Sequence, residues 1–288
     1  MKITNNYGLP EAIVKAVTFD GHEKRGDFSV TELSLPPRIR MLRLRHDGEI
    51  VEDASERLWM LQGSAIHDTL KRGQVASALQ EEQLTYLIEG ALVYGTPDWY
   101  DGQGVVDFKY TSIWAALAGV KPEWESQVNN YGFMYEELGF PVPTLRIAAI
   151  LRDWSKGRAK QGGNYPPVPF MMLPVRKWTR REVRSHMLER IAAHRAAETL
   201  PDDALPVCTP EERWDKPTTW AVMLKGNKNA KRVLESQAEA EQYVQTVLKP
   251  KDQTRAYIQE RPGESVRCGG YCNVAAFCNW WQERGGGP

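Results

Sequence analysis

Residues 96–109 read TPDWYDGQGVVDFK, with Asp98 on one side of a glycine-bearing centre and Asp107 and Lys109 on the other. Asp101-Gly-Gln-Gly marks a tight turn, and the flanking residues are aromatic and β-branched, so the segment predicts a hairpin. Side chains alternate along a strand, so Asp107 and Lys109 share one face. The turn folds Asp98 back beside Asp107. Two carboxylates on one sheet face repel each other. A hard divalent cation such as Mg²⁺ or Mn²⁺ prefers oxygen ligands and relieves that repulsion. A lysine beside it can hold the attacking water and stabilise charge on a phosphate. An acid–acid–lysine set by itself is more often a solvated face, so its neighbours carry weight.

On the N-terminal side, LTYLIEGALVYG (84–95) predicts further strands. ASERLWMLQGSAIHDTLKR (54–72) has helical spacing, with Leu58, Leu61, Ile66 and Leu70 as its apolar positions and His67 near its end. Residues 9–19 read as a short helix. Pro36-Pro37 precedes RIRMLRLR, whose alternation of basic and apolar side chains predicts a strand or extended arm with arginines on one face. On the C-terminal side, Thr111 or Ser112 caps a short helix, IWAALAG. A longer helix starts at Pro122 and ends at Gly139, with Gln127 and Tyr131 one turn apart. TLRIAAILRDW and VPFMMLPV predict strands, and TRREVRSHMLERIAAHRAA a surface helix. The order gives an α/β fold, a mixed central sheet flanked by helices. Residues 1–204 form that core with its N-terminal arm. Residues 205–288 form a small ββαβ subdomain: the hairpin WAVMLKG/KRVLES, the helix SQAEAEQYVQTVL and the strand RAYIQER.

The 288 residues are 42% apolar and 26% charged, which excludes disorder as the main state. Lys plus Arg and Asp plus Glu are each 37, which excludes a uniformly basic nucleic-acid coat. Charge can still be segregated locally. Arg38, Arg40, Arg43 and Arg45 are candidates to line a DNA channel, or simply to pair with surface acids. Lys225, Lys228, Lys231 and Arg232 at a hairpin tip are candidates to grip phosphates, or equally a solvated turn. No stretch approaches the length of a membrane span. MKITNNYGLP has no apolar signal region, so a cytoplasmic protein is expected. No G-x-x-x-x-G-K-[ST] run is present, so the chain does not look like a helicase.

Cys208, Cys268, Cys272 and Cys278 bracket the ββαβ segment, the last three spaced C-x₃-C-x₅-C. A cytosolic chain of this length argues against a disulfide framework. Four thiolates suit either zinc or a 4Fe–4S cluster, and either would staple the subdomain at its base.

Taken in order, GSAIH, TPD, DFK and QVNNY resemble the RecB-type branch of the PD-(D/E)XK nuclease superfamily, over about residues 29–200. That resemblance implies a restriction-endonuclease-like core and a metal-dependent DNA exonuclease acting on ends or single strands in phage or bacterial DNA processing. It implies that Asp98 and Asp107 bind the catalytic metal, with the Phe108 carbonyl and His67 as further ligands. The His67 nitrogen favours Mn²⁺ over Mg²⁺. Lys109 positions the water, and Gln127 and Tyr131 orient Lys109 or touch the DNA backbone. Glu81 or Glu82 is within reach of a second metal. Trp99 and Trp114 flank these motifs and are candidates to stack on a base, while Trp280 and Trp281 shield the cysteines. The tail resembles that of iron–sulfur RecB-type nucleases, which favours the cluster over zinc. It departs from them in two ways: the first cysteine pair has three intervening residues where two are usual, and Cys208 follows the core rather than preceding it. DNA is the implied partner, with a recombination or single-strand-binding protein as a further one, in the cytoplasm of a bacterial host. The alternatives are a catalytically weak DNA-binding protein retaining the fold, and an RNA-directed nuclease.

Overall fold

Apolar runs end where glycine, proline or a capping hydroxyl stands, and the elements follow those marks. The computed structural model describes residues 1–19 and 25–287. It divides into two units, Met1–Leu200 and Pro201–Pro288. The first begins with β1 (Lys2–Thr4), α1 (Glu11–Thr18), β2 (Phe28–Ser29), α2 (Val30–Leu33), α3 (Pro37–His46) and β3 (Val51–Asp53). Then come α4 (Leu58–Arg72), β4 (Leu79–Gln80), β5 (Leu84–Ile88), β6 (Ala91–Gly95), β7 (Trp99–Tyr100) and β8 (Gly104–Thr111). It closes with α5 (Ile113–Leu117), α6 (Pro122–Glu137), β9 (Thr144–Leu151), α7 (Lys156–Ala159), β10 (Phe170–Val175) and α8 (Arg180–Glu198).

The central sheet has five strands in the order β10-β9-β8-β7-β4. β8 and β9 are parallel, with Asp107 opposite Ile147, and the other pairs are antiparallel. The unit is therefore α/β with a mixed sheet, as the patterning predicts. Val128, Tyr131, Phe133, Met134 and Tyr135 of α6 join Val105, Leu145 and Ile147 of the sheet in one apolar cluster. Pro122 opens α6 at its first turn, where its missing N–H costs nothing. Gly139, at φ 87°, follows its end. Ser112 caps α5 by accepting from the Ala115 amide. Thr179 and Glu182 form a capping box on α8.

Two expectations change. The strands before residue 100 do not all join the central sheet. β5 and β6 turn through Glu89-Gly90, both at positive φ, and form a separate sheet in the order β2-β6-β5. The run RIRMLRLR is not a strand or arm but the helix α3, with Pro37 in its first turn. Met, Leu and Arg are strong helix formers, and their alternation only imitates a strand.

The second unit contains α9 (Pro210–Arg213), β11 (Asp215–Lys216), β12 (Thr219–Leu224), β13 (Arg232–Leu234) and α10 (Gln237–Thr246). α11 (Pro250–Gln253), β14 (Ala256–Arg261), β15 (Glu264–Ser265), α12 (Val266–Gly270) and α13 (Asn279–Gln282) follow. Its sheet is antiparallel in the order β13-β12-β14, with Ser236 and Glu239 capping α10. Among the described residues, no helix is long and apolar enough to cross a membrane.

Candidate active site

The hairpin register sets the site. Trp99 pairs with Val106, so one step further Asp98 lies across from Asp107. β7 ends at Tyr100 on one side and Trp99 on the other, leaving the β8 edge beyond Val106 without a strand partner there. Asp98 takes that place: its Oδ2 accepts from the Phe108 amide at 2.6 Å. The N–H and C=O of one strand residue point to the same edge, so the Phe108 carbonyl also faces Asp98.

Asp107 is 1% exposed, and its neighbours are Val105, Val106 and the apolar sheet. Burial lifts its carboxyl to about 6, against the opposing pull of the Lys109 ammonium. Lys109 Nζ lies 2.7 Å from Asp107 Oδ2 and donates to Gln127 Oε1 at 2.9 Å. Gln127 Nε2 donates to the Tyr131 hydroxyl at 3.3 Å. Burial pushes the Tyr131 phenol up, so it stays protonated and neutral. Gly95 makes room for this ring, because a Cβ there would stand 2.5 Å from Tyr131 Cε1. A continuous line of polar contacts thus runs from Asp107 through Lys109 and Gln127 to Tyr131.

The second side of the site comes from α4. His67 Nδ1 is 3.3 Å from Asp98 Oδ1, and that hydrogen bond raises the imidazole above its ordinary value. Glu81 follows β4, with φ 51°, and its amide donates to the Asp98 carbonyl at 3.3 Å. Its carboxylate, the His67 ring and the Asp98 carboxylate each bring a ligand atom within 4.8 Å of the others. Lys71, one turn beyond His67, pairs with Glu81 at 3.3 Å. Glu82 is not in that group and lies close enough to Tyr135 to help raise its phenol. The structure therefore separates Glu81 from Glu82, which the sequence leaves equal. The only local signal is that Glu81 directly follows the strand paired with β7.

His67, Asp98, Asp107, Phe108, Lys109, Gln127 and Tyr131 all converge. Arg38 and Arg40 do not. They are 3% and 6% exposed, inside α3, so they face no DNA. Arg40 pairs with Glu198 at 2.9 Å and lies over the Phe28 ring at 4.8 Å. The Arg40 charge ties α3 to Glu198 at the end of α8. Trp99 is half-buried in β7, whereas Trp114 is exposed. In the second unit, Lys225, Lys228, Lys231 and Arg232 are exposed on and beside the β12–β13 turn.

The cysteines converge within the second unit. β11 pairs with β15, Asp215 opposite Ser265, which draws the chain after Cys208 against the chain before Cys268. Arg267 ties in by donating to the Glu212 carbonyl at 3.1 Å. Among the described residues, none of the four is in a disulfide. Burial pushes Cys208 up to about 12 and Cys268 up to about 11, with Cys272 and Cys278 close enough to add to both. The Arg213 guanidinium lies over the Trp280 ring at 4.3 Å.

No family model and no curated protein matches the chain. Among solved structures it aligns with the crystal structure of SSO0001 at 14% identity and a TM-score of 0.46, over 63% of this chain and 85% of that one. A likeness of that degree adds nothing to the assignment.

Proposed function

We propose that the chain is a divalent-metal-dependent DNA nuclease of the RecB type, built on a restriction-endonuclease-like core. The observation that carries this reading is the convergence of Asp98, Asp107 and Lys109 with His67 from α4. The donor set fits a Mg²⁺ or Mn²⁺ ion: carboxylates from Asp98, Asp107 and Glu81, one imidazole, and the Phe108 carbonyl on the same edge. Asp107 itself supports the fit. A carboxyl desolvated enough to rise to about 6 is costly to ionise beside Asp98, and a cation offsets that cost. When bound, the cation supplies Lewis-acid charge and acidifies a water.

The chain's own groups do the rest. Asp98 holds His67 by hydrogen bonding while keeping its other oxygen on the Phe108 amide. Gln127 aims the Lys109 ammonium at the carboxylate face, where it steadies the attacking water and the developing charge on phosphate. Tyr131 fixes Gln127 in turn.

The cysteines support a structural 4Fe–4S cluster in the second unit. Four thiolates from two chain segments drawn together by the β11–β15 pairing can give one sulfur to each iron of a cubane.

The test is a time course on end-labelled linear single- and double-stranded DNA, RNA and closed circular DNA, with Mn²⁺, Mg²⁺ or chelator. Metal-dependent loss of label from linear DNA, abolished in Asp107→Ala, is the expected result. Intact substrates in every metal, with DNA still bound, would favour a binding protein that retains the fold.

A further inference from the structure

One segment of the first unit is not used by the site described above. β8 and β9 are parallel, so their carboxyl ends lie side by side, and ligands of α/β sheets gather at such ends. Arg152 directly follows β9, and its amide donates to the Thr111 carbonyl at the end of β8, at 3.0 Å. Thr111 is two residues past Lys109, about 7 Å along the strand. The Arg152 guanidinium lies 4.3 Å over the ring of Trp59, at the start of α4. Asp153 accepts from the Ile113 amide at 2.8 Å, which brings the first turn of α5, with Trp114, to the same bend. Trp59 and Trp114 are 59% and 64% exposed. Trp154 and Ser155 pin the next turn by bonds to Pro166 and Tyr165. The chain then presents Lys156, Arg158 and Lys160, all exposed. Among the described residues, no acidic side chain pairs with any of these three.

We propose that Trp59, Arg152 and Trp114, with the basic segment 156–160, form a stacking platform for single-stranded nucleic acid entering the site. Two indole faces standing in water are costly unless they have a use. Base faces match them, and three cations beside them match a phosphate backbone in a chain whose net charge is zero. A duplex keeps its bases stacked within and offers these rings nothing. The same α4 carries His67 about two turns after Trp59, roughly 12 Å along its axis and within about a quarter turn of the same side. The proposal rests on the nuclease reading for the strand's destination, but binding alone tests it.

The experiment measures binding of a labelled oligothymidylate, and of a duplex of equal length, to the full chain in chelator. Trp59→Ala and Trp114→Ala should each weaken oligothymidylate binding by about 5- to 150-fold, with duplex binding unchanged. Trp59→Phe, which keeps a ring, should retain most of the affinity. Charge reversal at Lys156, Arg158 and Lys160 should weaken binding to both and lower the salt slope by about 0.7 for each phosphate left without its cation. Equal losses on single strand and duplex in the tryptophan variants would overturn the platform. So would unchanged binding, including the case in which Trp59→Ala merely breaks up an oligomer. Cleavage without tryptophan dependence leaves the nuclease and removes the platform. Tryptophan-dependent binding without cleavage does the reverse.

Discussion

Around Asp107 the polar groups rest on a large apolar foundation, whereas the thiols about Cys278 have few buried residues beside them. The first unit sets Asp107, Lys109 and Gln127 on β8 and α6, which also contribute to one continuous apolar cluster. The second unit buries β12, Ala240 of α10 and a few residues about Cys208 and Cys278. One unit is stable enough to carry an electrostatically unfavourable site. The other has a small core that supplies little net stability, and a metal held by its thiols, as proposed above, would supply much of the rest.

That contrast can be broken most decisively at Cys272. Cys272→Ala should leave the second unit open to protease, because structural metal binding contributes on the order of 10 kcal/mol to the folding of small metal-stapled domains. The expected digest leaves a resistant fragment ending near residue 200. The wild-type protein, prepared without oxygen, should carry iron and sulfide. One zinc without sulfide would keep the staple and refute the cluster. Native protein with neither metal and four freely reactive thiols would remove both.

Lys109→Ala is the matching change on the first unit. Measured in Mn²⁺, which would balance the Asp107 carboxylate in place of the lysine, it should lower the single-turnover cleavage rate by about 10²- to 10³-fold while the melting temperature and DNA affinity hold. Loss of folding along with activity would mean that the site supports the unit, contrary to the contrast. Glu81→Gln sharpens it further. Calorimetric titration with Mn²⁺ should find affinity reduced by about tenfold or more, as for lost metal-site interactions. Unchanged affinity would remove Glu81 from the ligand set.

The smallest effect concerns stability and pH. The Asp107 carboxyl is raised from 3.8 to about 6 in the folded protein, so folding favours its protonated form. The stability tied to that proton is full below the unfolded value and is lost as pH rises through about 6. In chelator, Asp107→Asn should therefore melt higher than wild type above pH 6, by about 2–4 °C for each kcal/mol recovered. Below pH 4 the two should coincide. Added Mn²⁺ should stabilise the wild type more than the variant.

Much of this was legible because the site residues sit at spacings that local structure converts directly into proximity. Asp107 and Lys109 are two apart on a strand, Gln127 and Tyr131 four apart on a helix, and a glycine turn folds Asp98 onto Asp107. What was not legible depended on distant partners. Nothing near Arg40 announces that it will be buried and paired with Glu198 of α8. Glu81 and Glu82 are chemically identical neighbours, and only the folded contact of Glu81 with Asp98 and His67 sets one apart. The platform at Arg152 was hidden for the same reason. Its tryptophan lies on α4, far earlier in the chain, and only the parallel pairing of β8 with β9 brings that bend to the site.

The bond from the Phe108 amide to Asp98 has a consequence for how the chain can vary. In a strand as short as β7, that carboxylate serves as a ladder rung as well as the proposed metal ligand. Inserting one residue at the exposed Gly102 tip would slip the pairing by one and turn Asp98 to the opposite face of the sheet. Surface turns ordinarily tolerate changes in length. This one is held to its length by chemistry at the far end of the hairpin.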